Sequence, residues 1–320
     1  MFLASPITFP NLGITVDPSP VAFTVFGKDI YWYGIIIASG FLLAVLYMLH
    51  RAKDFGVTQD DVLDMILWAV PIGVVCARLY YCIFYWELYA DDPISMLYIW
   101  EGGLAIYGGI IGGVITLLVV AKVKKIPAPV LLDLAGMGVI IGQCIGRWGN
   151  FMNVEAYGGV TGLPWRMCSE SIASSLLSQG LVDADGYQAI LDGTLGVHPT
   201  FFYESLWNFV GIFLIYWIGK HWKKFDGQVF WSYVLWYGLG RFWIEGLRTD
   251  SLYFFGLELF GAPIRTSQVL AIVSAAVAAV VLIYELKFRR HDPSELYVNR
   301  LAAHRADAGE GPGGPEKKED

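Results

Sequence analysis

Charged side chains interrupt several of the long apolar stretches of this 320-residue chain. A charge at the centre of a membrane helix costs about 2.5–3.5 kcal/mol on insertion scales, so such residues normally have a partner or a purpose. Three of them are arginines, Arg78, Arg147 and Arg241. Guanidinium groups bind phosphate through paired hydrogen bonds, so this excess of arginine predicts a site for an anionic phosphate group. Salt bridges that only hold helices together, such as one between Arg241 and Glu245, are the alternative.

The elements that must position these residues are membrane helices. The chain is 56% hydrophobic and only 16% charged, with a mean hydropathy of +0.52, whereas a soluble domain carries about a quarter charged residues. A bilayer core needs about 17–25 helical residues. The sequence therefore predicts an all-α integral membrane protein with about seven spans, 33–49, 65–85, 104–121, 130–145, 201–219, 229–244 and 269–286.

The distribution of basic residues predicts the orientation of these spans. The first, third and fifth loops and the C-terminal tail hold fifteen Lys and Arg residues, against four in the N-terminal arm and the remaining loops. Basic residues concentrate on the cytoplasmic side of membrane proteins. We therefore expect the N-terminus outside and the C-terminus in the cytoplasm.

This orientation divides the chain into three predicted regions. Residues 1–32 form an extracytoplasmic arm with a short hairpin from Phe23 to Tyr31, turning at Gly27-Lys28. Residues 33–286 form the transmembrane domain, with a small extracytoplasmic cap at 148–200. Residues 287–320 form a cytoplasmic tail that ends in a low-complexity segment and is expected to be disordered.

The orientation also brings the membrane charges to one depth. Arg78, Arg147 and Arg241 fall in the outer half of outward-running spans, and His198 and Glu204 begin the inward-running fifth span. We therefore expect a cavity near the outer leaflet that binds a membrane lipid with an anionic headgroup.

Other residues are assigned structural roles. The acidic residues expected at cytoplasmic span ends, where an interfacial position accounts for them, are Asp64, Asp133 and Glu285. Glycines with small-xxx-small spacing predict close packing of the third and fourth spans, at Gly108, Gly109, Gly112, Gly113, Gly138, Gly142 and Gly146.

Composition and spacing argue against several classes of partner. A net charge of −7 implies no nucleic-acid partner. The four cysteines are too few and too scattered for a disulfide framework. No Cys/His cluster has metal-ligand spacing, and the residues suggest neither a metal nor a cofactor.

A thirteen-residue stretch carries a family resemblance. Gly146-Arg-Trp-Gly-Asn-Phe-Met-Asn-Val-Glu-Ala-Tyr-Gly158 resembles the signature Gly-Arg-x-Gly-Asn-Phe-x-Asn-x-Glu-x-x-Gly of the bacterial prolipoprotein diacylglyceryl transferases, with every fixed position present. Other features similar to the family follow in order, from about Tyr31 to Leu286: Trp32-Tyr33-Gly34, Ala77-Arg78-Leu79, Gly102-Gly103, Tyr107-Gly108-Gly109, His198-Pro199, Tyr203-Glu204, Tyr237-Gly238, and Arg241 with Glu245 and Arg248.

The resemblance implies a reaction. The diacylglyceryl group of phosphatidylglycerol would pass to the thiol of the lipobox cysteine of a prolipoprotein signal peptide, giving a thioether and glycerol phosphate. The protein would lie in the bacterial plasma (inner) membrane, with its active site towards the extracytoplasmic leaflet.

The resemblance also implies roles for individual residues. Arg147 and Arg241 would bind and polarise the phosphate, Asn150 would hold the headgroup, and Glu155 and Glu245 would orient the arginines. Tyr33 and Tyr237 would line the pocket, and His198 and Glu204 would organise the outer entrance or cap the fifth span. The remaining substrate-binding candidates are Asn153, Gly158, Arg248 and Arg78, and a structural role is the alternative for Arg78.

One position departs from the family pattern. Tyr107 stands in Tyr107-Gly108-Gly109 where many members have His-Gly-Gly. Tyr107 is therefore expected to act by hydrogen bonding, and the sequence leaves open which group receives the thiol proton.

Other functions fit the sequence less well. A transporter for an anionic solute would use the same arginines, but the sequence has no internal repeat and no basic cluster in the inner half of its spans. An intramembrane protease is disfavoured because its usual sequence motifs are missing. A purely structural scaffold leaves the outer-leaflet arginines without a reason.

Overall fold

The computed structural model describes residues 5–249, 253–259 and 262–307. Within these residues the chain is mainly helical, and four short antiparallel hairpins accompany the helices. The helices are α1 (Trp32–Arg51), α2 (Gln59–Phe84), α3 (Ile106–Lys124), α4 (Ala128–Met152), α5 (Glu170–Ser178), α6 (Ala184–Leu191), α7 (Thr200–His221), α8 (Gln228–Leu247), α9 (Thr266–Ile283) and α10 (Tyr297–Asp307). The strands are β1 (Ile7–Phe9), β2 (Ile14–Val16), β3 (Val21–Val25), β4 (Lys28–Tyr31), β5 (Val160–Thr161), β6 (Gly196–Val197), β7 (Tyr253–Leu259) and β8 (Ala262–Arg265).

The predicted class, an all-α multi-pass membrane protein, is confirmed. In the described part of the chain, six helices are long and apolar enough to cross a membrane: α1, α2, α3, α4, α7 and α9. The other predicted span falls on α8, which has 20 residues but carries Gln228, Arg241 and Glu245. The count of seven spans and their orientation stay predictions.

The described residues divide into two compact units. The first takes its residues from 5–45, 136–222 and 231–289, and it contains most of α1, α4 and α8 together with α5–α7 and α9. The second takes its residues from 46–135, 223–230 and 290–307, and it contains α2, α3 and α10.

The cap of the first unit is built around an apolar core that includes Ile7, Ile172 and Leu176. The β1–β2 hairpin belongs to this core, since Thr8 exchanges backbone hydrogen bonds of 2.8 and 2.9 Å with Cys168. Residues 5–16 are therefore part of the cap, which corrects the expectation of a separate arm over 1–32. The cap also begins later than the expected residue 148, because α4 continues to Met152.

The predicted hairpin before the first span is confirmed as β3 paired with β4. Its turn lies at Phe26 and Gly27, with φ values of 50° and 77°, one residue earlier than expected. Positive φ values at both central positions are typical of a type I′ turn, whose twist matches that of the strands in a two-residue hairpin. β4 leads directly into α1.

In the second unit, α3 packs closely on α2 through glycine. A Cβ at Gly108 would overlap the carbonyl oxygen of Cys76, and one at Gly112 would lie 2.8 Å from the Cys76 Cβ. The predicted close approach is confirmed at these two positions. Gly113 faces open space, so its small size is not needed there.

Asp133 is fully buried in the second unit, which corrects its expected interfacial role. Its carboxylate accepts hydrogen bonds from the backbone N–H groups of Gly227 (2.9 Å) and Phe230 (2.8 Å) at the start of α8. The Lys223 ammonium lies 3.0 Å away. Asp133 therefore satisfies free N–H groups at a helix N-terminus, and a lysine balances its charge.

The tail differs from the expected disordered segment where it is described. Residues of α10 pack on Gly56, whose added Cβ would lie 3.0 Å from Leu301. The Tyr297 N–H donates to the Asp226 carboxylate at 2.9 Å. These contacts fix the start of a helix that composition did not indicate. The low-complexity end, 308–320, lies outside the described residues.

Candidate active site

The centre of the candidate site is Glu204, one turn into α7. Its side chain is only 3% exposed, and both of its carboxylate oxygens contact arginines. Arg147 Nη2, from α4, lies 2.7 Å from Glu204 Oε1, and Arg241 Nη1, from α8, lies 3.2 Å from Glu204 Oε2. One buried carboxylate thus holds two guanidinium groups from two other helices side by side.

A second carboxylate fixes Arg241 from its own helix. Arg241 Nη2 lies 2.6 Å from Glu245 Oε2, one turn further along α8. The backbone carbonyl of Glu245 accepts a hydrogen bond from the guanidinium of Arg265, at the end of β8. The two arginines of the centre remain 20% and 17% exposed. Both side chains are therefore partly exposed.

Asn150 connects Arg147 to a further carboxylate. The amide oxygen of Asn150 accepts from Arg147 Nη1 at 3.3 Å, and its Nδ2 donates to Glu155 Oε1 at 2.8 Å. Asn153 Nδ2 donates to the same oxygen at 3.4 Å. Glu155 was expected to orient an arginine, but in the structure it acts on Arg147 only through the Asn150 amide.

The loop that carries Glu155 has an unusual backbone. Val154 and Ala156 have φ values of 54° and 57°, in a left-handed region that a β-branched residue rarely adopts. Each such residue costs about 1–3 kcal/mol unless the surroundings hold it. The Thr200 hydroxyl donates to the Ala156 carbonyl, and the Glu155 N–H donates to the Asn150 carbonyl at 3.0 Å. The strained turn thereby directs Glu155 back towards the end of α4.

The backbone of Gly158 links the residues just before α7 to those just after α8. Its N–H donates to the His198 carbonyl at 2.9 Å, and it forms a β-bridge with Arg248. A Cβ here would lie 2.8 Å from the Leu247 carbonyl and 2.7 Å from the His198 Cβ. Only glycine fits, so Gly158 connects the end of α8 with the start of α7 and does not itself present a binding group. Arg248 takes part in this connection by its backbone.

The two tyrosines expected to line the pocket, Tyr237 and Tyr33, have different neighbours. Tyr237 interacts electrostatically with Arg147, Arg241 and Glu204. The Tyr33 ring lies against Gly149, where an added Cβ would come within 2.9 Å of the ring. Tyr33 therefore packs on the last turns of α4, where the signature residues lie.

His198 is separate from the charged centre. Its Nδ1 lies 3.2 Å from the Tyr203 hydroxyl, which accepts a hydrogen bond from Trp165 Nε1 at 2.7 Å. Partial burial lowers the pKa of the His198 imidazole below its ordinary value, so the ring is neutral at pH 7. The expected pairing of His198 with Glu204 at an outer entrance is not found. Neither residue caps α7, whose N-cap is Pro199.

Arg78 belongs to the second unit and is 7% exposed. Its five N–H groups are directed at five backbone carbonyls of one loop: Met96 at 2.8 Å, Gly102 at 2.7 Å, Gly103 at 3.1 Å, Ser95 at 2.9 Å and Tyr98 at 3.5 Å. An arginine has five N–H donors. This guanidinium is therefore fully used in holding the loop, which argues against its expected role in substrate binding.

Tyr107 also belongs to the second unit, in the first turn of α3. Its ring lies 6.2 Å from that of Tyr80, in a tilted arrangement. The side chain is half-buried.

Sequence reasoning underestimated one residue and missed another. Glu204 was expected at the outer entrance, whereas in the structure it bridges the two arginines. It is the sole carboxylate between Thr200 and Gly219, and this isolation in an apolar stretch could have indicated its importance. Arg265 entered the sequence analysis only as a basic residue of an outer loop. No local pattern links it to Glu245, because the contact depends on the β7–β8 hairpin.

These features define the class of the protein. It is a multi-pass helical membrane protein whose helices α4, α7 and α8 bring together two partly exposed arginines on buried carboxylates. Within the described residues, no group of three or more His, Cys, Asp or Glu side chains could hold a metal ion.

Comparison with known proteins gives the family. Residues 20–284 match the family model described as prolipoprotein diacylglyceryl transferase. The chain is 40% identical over 275 residues to the phosphatidylglycerol–prolipoprotein diacylglyceryl transferase of Clostridioides difficile, an alignment that covers 86% of this chain and 98% of that protein. The enzyme of the same name from Enterococcus faecalis is 42% identical over 282 residues, covering 88% and 94%. That from Limosilactobacillus reuteri is 40% identical over 293 residues, covering 91% and 98%. The chain belongs to the prolipoprotein diacylglyceryl transferase family.

Proposed function

We propose that this protein transfers the diacylglyceryl group of phosphatidylglycerol to the lipobox cysteine thiol of prolipoproteins, the first step of lipoprotein maturation. Family membership supports the reaction class. The observation that carries the proposal is the pair of arginines held on one buried carboxylate, Glu204. Buried ion pairs add little to stability compared with apolar packing. The pairing of two arginines with a buried Glu204 is therefore better explained by ligand binding than by a contribution to the stability of the fold.

The two arginines bind the phosphate of the lipid. Among the described residues, Arg241 forms ion pairs with Glu204 and Glu245, and Arg147 contacts Glu204, Asn150 and Tyr237. Each guanidinium has five N–H donors, so both have donors left for phosphate oxygens. The carboxylates hold the guanidinium planes in place before the lipid arrives, which lowers the cost of reorganisation during the reaction.

The chemical step is a displacement at the glyceryl carbon that carries the phosphate. The substrate thiolate attacks this carbon, a carbon–sulfur bond forms, and the carbon–oxygen bond to phosphate breaks. The departing glycerol phosphate gains negative charge on oxygen, and Arg147 and Arg241 stabilise that charge. Removing one such donor typically lowers the rate by about 10²–10³.

The same positive charges help to form the nucleophile. A free cysteine thiol has a pKa near 8.5, and nearby guanidinium groups lower it. A phosphate monoester has a second pKa near 6 and is mostly a dianion at pH 7, so the thiol proton ends in solvent. We assign Tyr107 a hydrogen-bonding role in this step, with no general-base role.

The other residues position the substrates. Asn150 contacts the headgroup while Glu155 and Asn153 hold its amide, and Tyr33 and Tyr237 line the pocket. Glu245 orients Arg241. We leave Arg78 out of this group, because its donors contact loop carbonyls, and we assign Gly158 and Arg248 a backbone role.

The site faces the extracytoplasmic side of the bacterial inner membrane in this proposal. The distribution of basic residues supports that orientation. Phosphatidylglycerol and a prolipoprotein signal peptide are the two substrates, and no nucleic acid takes part.

A direct assay tests the proposal. Purified protein is incubated in vesicles with phosphatidylglycerol and a lipobox peptide, and the peptide mass is measured. We expect a diacylglyceryl adduct on the cysteine, and no adduct on a peptide with serine in its place. Vesicles of phosphatidylcholine provide a second control. Unmodified cysteine peptide after incubation with correctly folded protein would refute the function.

A further inference from the structure

Two tryptophans join α7 to α8 by a reciprocal contact. Trp207 Nε1 donates to the backbone carbonyl of Trp236 at 2.9 Å, and Trp236 Nε1 donates to the backbone carbonyl of Trp207 at 3.0 Å. The two rings are stacked, with centroids 4.4 Å apart and planes 18° apart. Each indole therefore uses its single N–H donor on the other helix.

Each of these indoles also lies on a glycine of the opposite helix. A Cβ on Gly240 would overlap the Trp207 indole nitrogen, and a Cβ on Gly211 would overlap the Trp236 indole nitrogen. In both helices the glycine follows the tryptophan by four residues, so the contact consists of two Trp-x-x-x-Gly segments related by local two-fold symmetry. We call these four residues the Trp–Gly clamp.

The clamp permits only one register between the two helices. Sliding one helix by a single residue moves its carbonyls by about 1.5 Å along the axis, which would break both indole hydrogen bonds. Glycine inside a helix costs about 0.8–1 kcal/mol relative to alanine. The close approach of the indole rings explains why glycine is needed here.

The two halves of the clamp lie at different distances from the arginine centre. Trp207 is three residues from Glu204 on α7, and Gly240 directly precedes Arg241 on α8. Gly211 lies seven residues after Glu204, and Trp236 lies five residues before Arg241. The half formed by Trp207 and Gly240 therefore sits beside the 3.2 Å contact between Arg241 and Glu204.

We propose that Trp207 and Gly240 are positioning residues for the reaction, and that they hold Arg241 at the place where it meets Glu204 and the lipid phosphate. This inference rests on the proposed function. The other half, Gly211 and Trp236, makes the same indole–carbonyl and indole–glycine contacts, and we assign it to helix packing only. The symmetry thus supplies a matched control, because a merely structural clamp requires both halves to behave alike.

The test compares Gly240→Ala with Gly211→Ala. Each change forces an indole off its glycine, so we expect similar losses of melting temperature. We expect kcat at saturating phosphatidylglycerol to fall at least tenfold more in Gly240→Ala than in Gly211→Ala, because only the former displaces Arg241. Equal losses of kcat in the two variants would overturn the inference.

A second pair keeps the test decisive if either alanine variant fails to fold. Trp207→Phe and Trp236→Phe keep an aromatic ring and each remove one indole N–H, and the same tenfold difference in kcat is required. Wild type and Arg241→Gln are measured in parallel. An inactive wild type would refute the proposed function, whereas active wild type with matched losses in the two halves would refute only the positioning role.

Discussion

Arg241 in the first unit and Arg78 in the second are both arginines within apolar helices, yet their surroundings differ. All five N–H donors of Arg78 point at carbonyls of the loop between Ser95 and Gly103. Arg241 is instead held by two carboxylates, from Glu204 and Glu245, and it remains 17% exposed. The first arrangement uses every donor for the fold, whereas the second places the charge against two carboxylates.

The difference teaches how to separate functional from structural arginine in a membrane protein. Residue type is the same for both kinds, so it does not distinguish them. What distinguishes them is the set of acceptors around the guanidinium group. A structural arginine is surrounded by neutral carbonyls that use all of its donors, whereas a functional arginine is held by fewer acceptors, carboxylates that fix the plane of the group. The comparison predicts that loss of Arg241 lowers activity, whereas loss of Arg78 lowers stability.

The largest effect is expected at the arginine centre. Arg147→Gln or Arg241→Gln should lower turnover by about 10²–10³, because each removes a donor that meets charge formed in the transition state. Rates of peptide lipidation in vesicles measure this. Arg289→Gln is the matched control, since Arg289 pairs with Glu285 at the same i,i+4 spacing but is 60% exposed. Undiminished lipidation in both Arg147→Gln and Arg241→Gln would contradict the assignment.

Arg78→Gln should act on stability instead. Loss of the guanidinium leaves several partly buried carbonyls without donors, at a total cost of about 2–3 kcal/mol. Thermal unfolding in detergent measures this, with Arg78→Lys as a variant that keeps the charge but loses the fork of donors. An unchanged melting temperature together with a higher KM for phosphatidylglycerol would make Arg78 a substrate ligand and break the comparison.

The variant Tyr107→Phe tests whether a residue of the second unit takes part in the reaction. We expect at least a tenfold loss of activity, about 1.4 kcal/mol in the barrier, because the variant removes only the hydroxyl. Tyr80→Phe, on the ring next to Tyr107, is the control and should retain normal rates. Near-normal turnover of Tyr107→Phe in the vesicle assay would reduce Tyr107 to packing.

The smallest effect concerns the cap. Burial lowers the pKa of His198, so the unfolded chain binds its proton more readily than the folded one. Stability should therefore decline as the pH falls below about 6.5, the ordinary pKa of histidine. Melting temperatures between pH 7.5 and 5 should fall less steeply in His198→Asn than in wild type. Identical slopes would show that this imidazole is not the group responsible.

The fold class and several site residues could be predicted from the sequence, for reasons that are local. Apolar length places the spans, and all seven predicted spans fall on helices. The i,i+4 spacing placed Arg241 beside Glu245, and their contact of 2.6 Å is present. Glycine spacing likewise identified the close approach at Gly108 and Gly112.

The remaining relationships join elements far apart in the chain, and no local pattern encodes them. The sequence pattern did not reveal that the N–H donors of Arg78 are all directed at loop carbonyls, that Asp133 caps α8, or that residues 5–16 complete the cap.

By itself, then, the sequence determined an all-α multi-pass membrane protein, the resemblance to a family, and the arginines worth examining. Only the tertiary structure decided that Glu204 is the carboxylate on which two arginines meet, because its partners lie 57 and 37 residues away along the chain. Hydrophobicity and helical periodicity act over a few turns. The acceptor that each buried charge finds depends on how the helices pack.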